Sequence, residues 1–135
     1  MINLYYNCEF SNTYTKGGVR MKKVLWFSRH LMTDEQLASL KRKLGEIEVV
    51  QVNKTIQSAR ELSKEIEECD ILAIVAPIGL QAEFLRLANG KPVITAVSER
   101  VIVKSEDGSE DKVNFIFKCW EQLEKIEVVK SLFAD

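Results

Sequence analysis

The 135-residue chain has few of the residues that announce a specialised site. It holds one histidine, His30, and three cysteines far apart in sequence, Cys8, Cys69 and Cys119, with no CxxC pair. That usage speaks against a zinc site and against a disulfide framework, and gives all three thiols a structural or neutral role. No stretch approaches the ~18 to 20 apolar residues of a membrane span, and the amino terminus lacks the basic-then-apolar layout of a signal peptide. A cytoplasmic protein without a membrane partner is expected. Neither sign of charge dominates, since 19 Lys and Arg against 20 Asp and Glu leave a formal net of -1. No basic field is therefore available to hold a long nucleic acid by its phosphates, while a small anionic ligand held by a few local cations is compatible.

What is present is a hydrophobic fraction of 46%, enough for a real core in one domain of this length. Residues 1–20 stand apart: they are polar, rich in Asn, Thr and Tyr, and show neither a period of two nor one of 3.6. Lys16-Gly17-Gly18 can be encoded by a purine-rich, ribosome-binding type of sequence a few codons before Met21. Residues 1–20 are expected to be a translated leader or a flexible arm, and 21–135 a single domain.

From Met21 the chain alternates. Val24 to Phe27 is a short continuous apolar run, as in a strand covered on both faces. Thr33 and Gln36 are spaced as a capping box; Leu37, Leu40 and Leu44 then share a helical face, and Gly45 closes the helix. The plan repeats with a strand over Ile47 to Val52, a polar exit at Asn53-Lys54-Thr55, a second capping box at Ser58 and Glu61, and a helical stripe of Ala59, Leu62, Ile66 and Cys69. Ile71 to Ala76, the most uniformly apolar run, is the expected central strand. Pro77-Ile78-Gly79 breaks it before a helix from about Leu80 to Ala88, which Asn89-Gly90 ends. A fourth strand, Val93 to Val97, is expected to exit into Ser98-Glu99-Arg100. The fold class is α/β, a Rossmann-like open parallel sheet of about four to six strands with helices on both faces.

The carboxyl third changes character. Val113, Ile116, Phe117, Trp120 and Leu123 recur at helical spacing and predict a final helix, with a hairpin strand over Lys112 to Lys118 against Val101 to Lys104 as the alternative. Val128 to Phe133 is expected to add an edge strand. The apolar residues here also suit a dimer seam.

In an open α/β sheet, ligands bind beyond the carboxyl ends of the strands, so the exits are the candidate site. Ser28, Arg29 and His30 come first: a hydroxyl, a guanidinium and the chain's one imidazole where a strand hands over to a helix. Thr33 and Gln36 follow, with capping as their simpler role. Asn53 and Lys54 supply a donor and a cation at the second exit. Pro77, Ile78, Gly79 and Gln81 form a turn into a helix start whose N–H groups suit phosphate, and Ser98 and Arg100 repeat the hydroxyl-plus-cation theme. No exit carries the paired carboxylates that hold magnesium. The expected chemistry therefore uses neither metal nor cofactor. Arg and Lys neutralise phosphate oxygens and His moves protons near neutral pH, a set suited to attack by a ribose 2′-hydroxyl on its adjacent phosphodiester.

Two resemblances arise. Arg29-His30 after a strand is similar to the opening of the histidine phosphatases, but those enzymes need a glycine next and a second histidine; Leu31 follows here and no other histidine exists. The run Val24 to His30, then Thr33 and Gln36, then Ala76-Pro77-Ile78-Gly79-Leu80-Gln81, resembles the small CRISPR-associated Rossmann-fold (CARF-like) ring nucleases over Met21 to about Gly90. That resemblance implies a homodimer that degrades cyclic oligoadenylate, usually the tetra-adenylate, without a metal and so switches off an antiviral response. It implies Ser28, Arg29 and His30 at the ligand, with Arg29 and His30 steadying the scissile phosphate or the leaving oxygen. The turn from Pro77 to Gln81 would cradle backbone or base. A sensor module that binds such a ligand without cutting it, and a structural subunit, are the alternatives.

Overall fold

The computed structural model describes residues 21–134. The expectations for residues 1–20, and for Cys8 within them, lie outside the described residues. The elements run β1 (Lys22–Phe27), α1 (Asp34–Leu44), β2 (Ile47–Val52), a 3₁₀ turn at Ala59–Leu62 leading into α2 (Ser63–Glu68), β3 (Ile71–Ile74), α3 (Ile78–Leu87), β4 (Val93–Val103) and β5 (Lys112–Leu123). The five strands form one sheet in the order β2-β1-β3-β4-β5, in which β1 to β4 are parallel and β5 is antiparallel. β3 is central, as its uniformly apolar run implied.

Alternate strand residues face opposite sides, and each side is covered. Leu25 and Phe27, Val50 and Val52, and Leu72 and Ile74 pack under Ala59 and Leu62 of the 3₁₀ turn, Ile66 of α2, and Phe84 and Ala88 of α3. Val24 and Trp26, Ile47 and Val49, and Ile71 and Ala73 pack under α1 through Leu37, Leu40 and Leu44. Helices therefore lie on both faces. Both local start signals form as read: Thr33 and Gln36 cap α1 reciprocally, and Ser58 and Glu61 do the same for the 3₁₀ turn. Gly45 closes α1 at φ 79°, where a side chain would be strained. Burial pushes the Cys69 thiol up to about 12, consistent with an inert core residue.

The carboxyl third differs from expectation in three ways. Residues 112–123 form a strand rather than the final helix, in agreement with the hairpin alternative, and the ladder runs from Val93 opposite Leu123 to Val103 opposite Lys112. An irregularity at Val97/Ser98 places Phe117 opposite Ser98 and Cys119 opposite Val97, so β5 carries one extra residue there. Phe117 and Trp120 consequently share a face at a separation of three, and their rings meet at 5.7 Å. A bulged strand of aromatic and β-branched residues thus imitates helical spacing. Secondly, β4 does not exit at Ser98-Glu99-Arg100. It continues to Val103, because pairing with β5 supplies its hydrogen bonds beyond the point where β3 stops. The result is a two-stranded ribbon projecting past the sheet, with Phe115 72% exposed near its end. Thirdly, Val128 to Phe133 forms no strand; its apolar residues are exposed and no ladder partner among the described residues holds them.

Phe84 is fully buried and tilts against Phe27 with ring centroids 5.3 Å apart, joining α3 to the end of β1. Phe84→Ala should lower unfolding free energy by about 3–5 kcal/mol in a urea titration followed by circular dichroism, and a loss under about 1 kcal/mol would contradict this packing.

Candidate functional site

The strands that position the site end level with one another. Phe27 lies opposite Val52 on one side and Ile74 on the other. β1 connects to β2 on one flank while β3 lies on the other, so the strand order reverses at β1 and leaves a crevice between the ends of β1 and β3. A cleft of about 360 Å³ occupies that place. It is at the small end of the ~300–1,000 Å³ usual for ligand pockets.

Three loops build its wall. Ser28, Arg29 and His30 follow β1; Lys54, Thr55 and Ile56 follow β2; Val75 and Pro77 follow β3, with Leu80 from the first turn of α3. The floor is apolar, set by Phe27 and Val52. Arg29 and His30 are exposed, as is Lys54. Among the described residues no carboxylate lines the cleft, which presents the cations of Arg29 and Lys54, an imidazole and apolar walls. Pro77 caps α3 without a side-chain acceptor, and the first-turn N–H groups of that helix stand beside the wall formed by Pro77 and Leu80.

The loop after β1 is held from several directions. Ser28 N–H continues the ladder to the Val52 carbonyl at 3.3 Å, and Val75 N–H donates to the Phe27 carbonyl at 2.9 Å. Ser28 is buried, and its Oγ accepts from the His30 N–H at 3.1 Å, so this hydroxyl shapes the turn that presents the imidazole. Trp26 Nε1 donates to the His30 carbonyl at 2.8 Å. Gln51 Nε2 donates to the carbonyls of Ser28 at 2.8 Å and His30 at 3.0 Å. Arg29 Nη2 donates to Thr55 Oγ1 at 2.5 Å, which ties the guanidinium across the cleft to the second exit.

Of the residues singled out from sequence, the fold brings together Ser28, Arg29, His30, Lys54 and Pro77. Thr33 and Gln36 do not line the cleft; they are occupied with each other's backbone, Thr33 N–H to Gln36 Oε1 at 2.9 Å and Gln36 N–H to Thr33 Oγ1 at 3.1 Å. Asn53, Ile78 and Gly79 also lie outside the lining, and Gln81 Nε2 is engaged by the Ala76 carbonyl at 2.9 Å. Ser98 and Arg100 belong to the projecting ribbon, because the fourth exit to which they were assigned does not exist. Sequence reasoning missed Thr55 and Gln51. Thr55 belonged to the exit already recognised, and Gln51 was visible as a polar residue inside the apolar run of β2.

A network of two carboxylates steadies the β2 side. Glu83 of α3 accepts from Ser58 Oγ at 2.8 Å and Ala59 N–H at 3.0 Å, and Glu61 accepts from the N–H groups of Gln57 and Ser58. These bonds hold both carboxyls below the ordinary glutamate value of 4.5: for Glu83 the Ser58 hydroxyl leads, for Glu61 the Gln57 amide, with the Lys54 charge a lesser contribution. No known family, curated protein or solved structure matches the chain.

Because both groups have lower values folded than unfolded, the stability they contribute is present above 4.5 and is lost as pH falls through and below it. Glu83→Gln should lower the thermal midpoint near neutrality and lose less than the wild type between about pH 6 and pH 3.5. Parallel pH profiles for the two proteins would contradict the role given to Glu83.

Proposed function

We propose that this cleft binds a phosphodiester and that the protein is a ring nuclease acting on cyclic oligoadenylate, the tetra-adenylate in particular. The observation that carries the reading is the convergence of Arg29, His30 and Lys54 on one crevice at the strand-order reversal, with no acidic side chain among the described residues that line it. Arg29 and Lys54 are matched to phosphate oxygens, the guanidinium being pre-aimed by Thr55. The apolar floor and Leu80 suit the face of a base.

The proposed reaction is internal transfer. A ribose 2′-oxygen attacks the adjacent phosphorus, its proton passes to water, and the bond to the 5′-oxygen breaks. The imidazolium of His30 gives its proton to that leaving oxygen, and Arg29 carries the charge that builds on the phosphoryl oxygens. The products are a 2′,3′-cyclic phosphate and a 5′-hydroxyl. Positioning and charge stabilisation supply the catalysis, and no protein nucleophile is required.

A cyclic oligonucleotide is larger than one cleft of this size, so the reading includes a homodimer in which two copies share one ring. The exposed apolar ribbon of β4 and β5 offers the surface on which a second copy would rest. A cytoplasmic site of action and a role in ending type III CRISPR signalling belong to the same proposal. A described helix long and apolar enough to cross a membrane does not occur.

Incubation of purified protein with cyclic tetra-adenylate in the presence of EDTA should give linear fragments. His30→Ala and Arg29→Ala should each slow single-turnover cleavage by about 10²- to 10⁴-fold with the fold retained, since both side chains are exposed. Tight binding without cleavage would instead favour a sensor module. A doubly substituted protein that cuts at the full rate would overturn the site.

A further inference from the structure

Gln51 is a buried polar residue that lies outside the cleft's lining. It lies on β2 directly opposite Trp26, only 1% exposed, on the face that packs under α1 with Ile47 and Val49. An amide so placed is costly unless its polar atoms are used. Its nitrogen is used twice, on the carbonyls of Ser28 and His30, while its buried Oε1 meets no donor among the described residues. The donor half therefore accounts for the position and the acceptor half is carried along with it.

The two carbonyls it holds flank Arg29. Where β1 leaves the ladder, the oxygens of Ser28 and His30 point down into the protein and meet Gln51, with Trp26 Nε1 as a second donor on the latter. Holding both oxygens fixes the rotation of the two peptide units that bracket Arg29 and His30. Those units decide which way the side chains of Arg29 and His30 leave the chain. Gln51 itself is not among the cleft-lining residues.

We infer that Gln51 is a positioning residue: its carboxamide, from beneath, aims Arg29 and His30 into the cleft without touching the ligand. The holding of the loop rests on geometry alone, and its catalytic consequence rests on the nuclease reading. Gln51→Met keeps the length and bulk of the side chain and removes both donors together with Oε1. It leaves Trp26, Thr55 and the lining residues in place.

His30 supplies the readout, because it is the chain's one imidazole and gives a single ring signal in a tag-free protein. In Gln51→Met the thermal midpoint should stay near that of the wild type while the His30 ring resonances move and broaden. Single-turnover cleavage should fall by about 10²-fold with ring affinity changed by less than about threefold, the signature of misplacement rather than lost binding. Wild-type His30 resonances in the folded variant would overturn the inference, whatever the activity. If the wild type cleaves nothing, the nuclease reading fails and the His30 signal still decides the role of Gln51. Should Gln51→Met not fold, Gln51→Asn, one methylene too short to reach both carbonyls, serves with the same expected displacement and the same contrary result.

Discussion

Three strands of a parallel sheet stop at one level, and the local arrangement of the molecule follows from that. Phe27 stands between Val52 and Ile74, so the polar segments that follow them are released at the same height and must share one space. β1 and β2 stop where their apolar runs stop, at Ser28 and Asn53, whereas β3 ends at Ile74, two residues short of the expected Ala76, where Val75 is already exposed. Connections that leave β1 and β3 toward opposite flanks of the sheet then form a crevice between their ends, where the strand order reverses.

Once the loop after β1 leaves the ladder, its backbone oxygens need donors below while its side chains face the cleft above. Trp26 and Gln51 meet that need from within the core, and Ser28 meets it locally for the His30 N–H. The segment is thus far more constrained than exposed polar residues suggest. Constraint of this kind is what a site that depends on positioning requires, because catalytic groups held by packed neighbours do not have to be ordered when the ligand arrives. The same logic applies across the cleft, where Glu83 and Glu61 brace the segment that carries Lys54 and Thr55.

Local signals were legible in the sequence and non-local ones were not. Thr33 with Gln36 and Ser58 with Glu61 announce helix starts because the partners lie three residues apart and need nothing else. The buried strands are legible because both of their faces are apolar. β5 reads as helix or hairpin strand in the sequence because its bulge gives Phe117 and Trp120 a helix-like spacing, and only the ladder contributed by β4 decides for the strand. The ribbon hid the length of β4 as well: a two-stranded segment wet on both sides tolerates Ser98-Glu99-Arg100, which in a covered strand would mark its end. At the site, Ser28, Arg29, His30 and Lys54 were recognisable from residue type and place. Thr55 and Gln51 act through contacts of 26 and 21 to 23 residues' separation, which no local pattern encodes.

The most direct test is calorimetric titration of cyclic tetra-adenylate into the slowly cleaving His30→Ala protein, at two salt concentrations, beside the same protein also carrying Arg29→Ala and Lys54→Ala. The account predicts saturable binding at one ring per two chains, weakened by salt as phosphate contacts are and abolished when both cations are removed. Binding that is absent, or that is indifferent to the loss of Arg29 and Lys54, would contradict it.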